Sequence, residues 1–257
     1  MGTVVVIIAF LIIFIIFVSN TSKENPSTQS GSRRYSPPSP QIIDVTKEFN
    51  IEQSVSDVGA FLFIDVETTG LPIFAKAKIE DLENWPRIVQ IAWILCDIER
   101  KQIISEKYLV KQTEFIPESA TRIHGITNQM CNESGIAIEE AVQKLIPEIK
   151  NSKYVIAHNI EFDIPVIESE FHRLGHKRQF TRKKKICTMK KGTSYCEIPR
   201  AYGRGYKYPR LTELYKELFY PRASRLEFTS IHDALTDTRM TAKCFFRMVD
   251  LGLIEIN

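Results

Sequence analysis

The stretch FLFIDVETTGLP, Phe61–Pro72, constrains the fold more than any other part of this chain. Four apolar residues run straight into Asp65-Val66-Glu67, and a Thr-Thr-Gly-Leu-Pro turn follows. In an extended strand alternate side chains share a face, so Asp65 and Glu67 project side by side. Like charges at that spacing repel and raise each other's pKa unless something positive sits between them. Taken alone, the pair reads as a solvated strand end. Other segments have to decide whether it is more.

The order of the remaining elements sets the fold class. RIVQIAWILCDI (Arg87–Ile98) and QIISEKYLVK (Gln102–Lys111) are β-rich runs with a short polar join, which with Phe61–Val66 predicts a meander of three strands. Gly135–Lys150 has helical apolar spacing, and Pro147 lies close enough to its end to be tolerated. Tyr154–Asn159 predicts a short buried strand, followed by a helix ending at Gly175. RLTELYKELF and a last helix over Asp233–Leu251 come after a basic segment. Strands first, then alternating helix and strand, imply an α/β domain with a mixed sheet.

The N-terminal part differs in kind. Val4–Val18 is an uninterrupted apolar run with no basic residue before it and no small-x-small site after it, which argues against a cleaved leader. Its length as a helix is about 22 Å at ~1.5 Å per residue, short against a hydrocarbon core of ~30 Å. The expectation is an uncleaved membrane anchor over residues 1–18. Ser19–Pro40 has no aliphatic residue, and residues 19–58 are expected to be a flexible linker before a globular domain over 59–257. Lys23, Arg33 and Arg34 follow the apolar run, so the positive-inside rule predicts a single-helix anchor with the domain in the cytoplasm. Five cysteines form no C-x-x-C pair, which suggests neither a disulfide framework nor a zinc site.

Two further motifs bear on Asp65 and Glu67. HNIEFD places Asp163 just beyond a strand end, and HDALTD places His232 and Asp237 at the head of a helix. Sites in α/β sheets gather where strands end and helices begin. In this order and spacing, D-x-E-T-T-G, H-N-x-x-F-D and H-x-x-x-x-D resemble the DnaQ-like 3′→5′ exonucleases of the DEDDh type. PRIVQIAW and HGIT (His124–Thr127) are also similar to that family. The resemblance implies an RNase H-like fold with a mixed sheet flanked by helices. It also implies two bound Mg²⁺ ions, with Mn²⁺ as a substitute, and stepwise hydrolysis from a 3′ end. By the same carry-over, Asp65, Glu67, Asp163 and Asp237 hold metal and His232 is the general base. Thr68, Thr69 and Leu71 cradle the terminal nucleotide, and Asn159 helps to hold it. His124 is expected only to form a turn, His158 to pack locally and Asp233 to cap the last helix.

Charge is unevenly spread. The chain carries +3 overall, yet Phe171–Arg210 alone holds thirteen Lys or Arg against one acid, Glu197. Interleaved tyrosines suit single-stranded nucleic acid, with cations on phosphates and rings on bases. A solvated loop or a surface resting on lipid headgroups are the other readings. The expected partners are single-stranded 3′ ends, DNA favoured over RNA. Two other functions fit the same residues: a nucleic-acid-binding module with a degenerate site, and a proofreading subunit of a polymerase complex.

Overall fold

The computed structural model describes residues 40–44, 59–222, 226–228 and 232–256. The apolar run Val4–Val18 lies outside them. Among the described residues no helix is long and apolar enough to cross a membrane. The expected placement, a membrane-anchored protein with its nuclease domain facing the cytoplasm, is therefore corrected: no described element supplies a span. The apolar run itself, at about 22 Å, is shorter than the ~30 Å it would have to bridge.

Five strands form one sheet: β2 (Phe61–Thr68), β3 (Ile88–Cys96), β4 (Gln102–Leu109), β5 (Tyr154–Ala157) and β6 (Lys184–Cys187). Their order is β4-β3-β2-β5-β6, so the strand carrying Asp65 and Glu67 is central. β2–β3 and β3–β4 pair antiparallel, as the meander predicts, while β2–β5 and β5–β6 pair parallel. A short separate pairing joins β1 (Gln41–Ile43) to β7 (Leu226–Phe228). Gln41–Ile43 thus lies in a strand although the composition of 19–58 predicts a linker; Ile43 is buried against the core.

Helices cover both faces, and the alternation of β2 shows why. Leu62, Ile64 and Val66 enter a core with α3 (Ile138–Asn151) and α4 (Ile160–Arg173). Phe61 and Phe63 face α6 (Leu211–Phe219) and α7 (Ala234–Asp250). The Phe63 ring lies 5.5 Å from Phe245 and 5.3 Å from Phe246, both edge-on. Two short helices, α1 (Glu118–His124) and α2 (Asn128–Ser134), stand where no periodicity predicts them. α4 also begins four residues earlier than expected, which puts Asp163 inside its first turn.

Two polar anchors hold α4 and the segment after it. Arg87 Nε donates to the buried Glu170 at 2.9 Å, and Arg173 approaches the same oxygen at 3.3 Å, tying α4 to the start of β3. His158, at the end of β5, sits 3.0 Å from Thr188 Oγ1 through Nδ1 and 3.0 Å from the Pro209 carbonyl through Nε2. It thereby joins α5 (Thr188–Cys196) and the chain entering α6 to the central sheet. Burial pushes its pKa down to about 4. The folded chain therefore holds this ring neutral while an unfolded chain protonates it near pH ~6.5. Its contribution is full above that pH and is lost as pH falls toward 4. In urea titrations, the stability advantage of wild type over His158→Gln should shrink steadily between pH 6.5 and 4.5, by up to ~1.4 kcal/mol per pH unit.

Candidate active site

Asp65 and Glu67 continue the face of β2 that begins with Phe61 and Phe63. The aromatic pair packs on the middle of α7, and the acids meet its beginning. A register shift between Glu67 and Thr68 ends the regular pairing with β3 at this point. The head of α7 is fixed by three contacts. Asp233 caps it, accepting from Thr236 N at 3.0 Å; Gln90 of β3 accepts from Ala234 N at 2.7 Å; Lys107 of β4 bonds Asp233 at 2.9 Å. Asp237 follows one turn later and accepts from His232 N at 3.3 Å. His232 adopts φ +61, a left-handed backbone that few side chains take up. The ligand atoms of Glu67, His232 and Asp237 all lie within 4.8 Å of one another.

Asp163 arrives from another direction. The parallel pairing of β2 with β5 covers only Phe61–Phe63, so the next stretch of β2 has unpaired backbone groups on that side. The Asp163 carboxylate accepts from Val66 N and from its own N–H. It stands outside the 4.8 Å set, as does Asp65, which lies between the two groups electrically.

The electrostatics are those of a pit built for cations. Burial, followed by the charges of Asp163, Asp237 and Glu67, holds Asp65 well above the usual carboxylate range. Burial and then Asp237 and Asp163 push Glu67 up to about 8. Burial raises Asp163 to about 8 against its two backbone donors, and raises Asp237 to about 7 against the His232 N–H. Asp233 behaves oppositely: burial would raise it, but Lys107 and the cap bonds from Thr236 outweigh that and lower it. Burial lowers His232, leaving the imidazole neutral near pH 7.

These donors fit a divalent cation. Oxygens sharing one Mg²⁺ at ~2.1 Å stand no more than ~4.2 Å apart, so a small closure of the 4.8 Å set completes a site. Four desolvated carboxyls that form no ion pair with a basic side chain among the described residues gain from such an ion.

The turn after the acids is more committed to structure than the sequence suggests. Thr68 Oγ1 donates to the Gly70 carbonyl at 2.7 Å. Thr69 pairs with Arg87 twice, N–H to carbonyl at 2.9 Å and Oγ1 accepting from N at 3.0 Å. Leu71 is 76% exposed and is joined by exposed Ile73 and Phe74, an apolar rim that the sequence reading reduced to Leu71 alone. Asn159, φ +85, precedes α4 and its side chain makes no capping bond. His124 also reaches the site's edge. Its Nδ1 accepts from Ile126 N at 3.0 Å, so Nε2 carries the proton and faces the Thr68 carbonyl at 3.3 Å. Gln90 and Lys107 were missed, although Gln90 stands in the quoted PRIVQIAW.

A sequence model described as "Exonuclease" matches residues 62–245, a span containing Asp65, Glu67, Asp163, His232 and Asp237. The chain belongs to this exonuclease family. The chain is 30% identical over 193 residues to the 3′-5′ exonuclease DinG of Bacillus subtilis, covering 74% of this chain and 18% of that protein. It is 26% identical to the DNA polymerase III subunit epsilon of Aquifex aeolicus, covering 75% of this chain and 81% of that one. E. coli exonuclease I, solved in complex with a dT13 oligonucleotide, shares the fold with TM-score 0.57 at 20% identity, over 74% of this chain and 40% of that one. This chain thus spans less than a fifth of DinG and under half of exonuclease I.

The raised carboxyls make a pH prediction with a definite sign. Unfolded, these groups titrate near pH ~4; folded, Glu67 and Asp163 titrate at about 8 and Asp237 at about 7. Between those limits the native chain binds more protons, so stability falls as pH rises. In EDTA, Tm should drop from pH 7.5 to 8.5, above the ~6.5 at which an unfolded histidine titrates. Adding Mg²⁺ or Mn²⁺ should raise Tm most at the upper end, where the carboxylates are free to bind it. A Tm in EDTA that is flat or rises across this range contradicts the assigned cluster.

Proposed function

We propose that the protein is a metal-dependent 3′→5′ exonuclease acting on single-stranded ends, with DNA as the preferred substrate. One observation carries the reading: Asp65, Glu67, Asp163 and Asp237 converge on one desolvated pit, with His232 inside ligand distance of two of them. Similarity to proteins named as 3′-5′ exonuclease and as polymerase subunit epsilon supports the direction of digestion. The crystal complexes of exonuclease I with oligonucleotides support the choice of DNA.

In this reading Asp65, Glu67, Asp163 and Asp237 hold two Mg²⁺ ions, or Mn²⁺ in their place. When bound, the ions supply positive charge where negative charge builds on the phosphate oxygens. His232, neutral at pH 7, takes the proton of the attacking water. The new bond joins water oxygen to phosphorus, the P–O3′ bond breaks, and a 5′-mononucleotide leaves a shortened strand with a free 3′-hydroxyl. Thr68 and Thr69 shape the backbone turn against the last nucleotide, since their hydroxyls are already engaged. Leu71 wedges against its base, and Asn159 holds the strand beside α4. A second reading keeps the chemistry but places it in a polymerase complex, favoured by the match to most of the length of subunit epsilon.

Digestion of 3′- and 5′-labelled DNA and RNA oligonucleotides with Mg²⁺, Mn²⁺ or EDTA tests the reading. Asp65→Asn and Asp163→Asn should each abolish hydrolysis with the fold intact. Retention of more than about 10% of the rate, under ~1.4 kcal/mol of barrier, would refute the metal assignment.

His232→Ala should lower kcat by roughly 10²–10⁴-fold while metal titration shifts little. Equal displacement of the rate and the metal-binding curve would instead make His232 a ligand.

A further inference from the structure

A groove of about 500 Å³ lies between the start of α4 and the corner where β6 meets α5. Its floor is apolar, with Ile160, Ile164 and Pro165 on one wall and Ile186 and Cys187 on the other. Three lysines, Lys185, Lys190 and Lys191, stand along it, opposed by one acid, Glu161. Lys190 pairs with Glu161, but both are exposed, and such surface pairs contribute little and exchange readily. Neither Lys185 nor Lys191 forms a hydrogen bond or ion pair among the described residues. Their neighbours in the basic stretch are committed elsewhere: Lys183 bonds the Lys150 and Ser152 carbonyls, and Lys184 lies over the Tyr154 ring.

The groove is distinct from the carboxylate pit but adjacent to it. Ile160, Glu161, Ile164 and Pro165 line one flank of α4, whereas Asp163 projects roughly 130° away, at ~100° per residue round the helix. Both features therefore use the first two turns of one helix. The His158 bridge to Thr188 and Pro209 fixes α5 against that same corner. Tyr208 lies close enough to influence the Lys190 ammonium and is itself exposed.

We propose that this groove is a second subsite that holds a nucleotide segment of the single-stranded substrate upstream of its 3′ end. The inference rests on the exonuclease reading above. An apolar trough flanked by three lysines against one exposed acid suits one class of ligand: flat bases joined by phosphates. Its size is in the range of roughly 300–1,000 Å³ that nucleotide-sized ligands occupy.

The test uses the full chain and thymidine oligonucleotides of about 4 and about 16 residues, fluorescently labelled at the 5′ end. Anisotropy in EDTA, with KCl from about 50 to about 200 mM, measures binding without turnover. Wild type should bind the longer strand at least about tenfold more tightly than the shorter. Lys185→Gln/Lys191→Gln should lose most of that gain, and its plot of log affinity against log salt should flatten by about 1.4, at ~0.7 per phosphate contact on single strands. Lys185→Arg/Lys191→Arg should restore both. An unchanged length dependence and salt slope in the Gln variant overturns the subsite. So does a polyglutamate peptide that displaces the labelled strand as well as unlabelled oligonucleotide does, which would make the groove an acidic-peptide site. With Mg²⁺, kcat on the short strand should be the same in wild type and variant. If wild type cleaves neither strand, the exonuclease reading fails, and the EDTA binding series still judges the groove by itself.

Discussion

Repulsion among Asp65, Glu67, Asp163 and Asp237 is the constraint on which the rest of the structure depends. Each unit by which a carboxyl is raised represents about 1.4 kcal/mol against its ionised form. All four are raised, with burial the largest cause, and for Asp65 and Glu67 the neighbouring carboxylates add to it. Nothing in the cluster itself holds it together. The force has to come from packing elsewhere, and the fold supplies it on both faces of β2.

The coupling between core and site is metrical. On α7, Asp237 shares a stripe with Cys244, Phe245 and Met248, seven, eight and eleven residues on, all three buried. Eight residues of helix advance ~12 Å, and the four residues from Phe61 to Asp65 in β2 advance ~13 Å. Seating Phe245 on Phe61 and Phe63 therefore brings Asp237 opposite Asp65 and Glu67 with no further adjustment. Aromatic burial sets the register, and the register sets the metal-binding geometry. Gln90, Lys107 and the Asp233 cap then hold the frayable first turn, where two charged groups would otherwise drift apart.

That division explains what could be read from the sequence. The acids and His232 are legible because each lies at a strand end or helix head, a local property that short motifs encode. The alternation of β2 and the stripes of α3 and α7 are legible because they are periodic. Gln90 and Lys107 are not, since their partners lie 144 and 126 residues away. α5 is hidden because lysines and Gly192 suppress any helical pattern. The glycine is a packing requirement, as a Cβ there would come within 2.6 Å of Leu214 on α6. Thr68 and Thr69 mislead for the opposite reason. Their hydroxyls look available in the string, but Gly70 and Arg87 consume them in closing the turn. The expected anchor over residues 1–18 lies outside the described residues, and among those no helix is long and apolar enough to cross a membrane.

The distribution of charge follows from the same cluster. An acidic pit repels a polyanion, so a nucleic-acid strand needs attraction from outside the pit before any cation bridges the two. The chain concentrates thirteen of its thirty-four Lys and Arg in Phe171–Arg210, which leaves the remainder net negative. That segment is not a uniform cloud. Lys183 and Lys207 are spent on the Ser152 carbonyl and on Glu213, fixing the backbone of the basic segment. Glu168, buried in α4, accepts from the backbone of Gln179 and Phe180 and so holds the turn before β6. Lys185, Lys190 and Lys191 line the groove beside α4, whose first turn also delivers Asp163. α4 thus carries the repulsive group on one flank and faces three lysines of β6 and α5 along another.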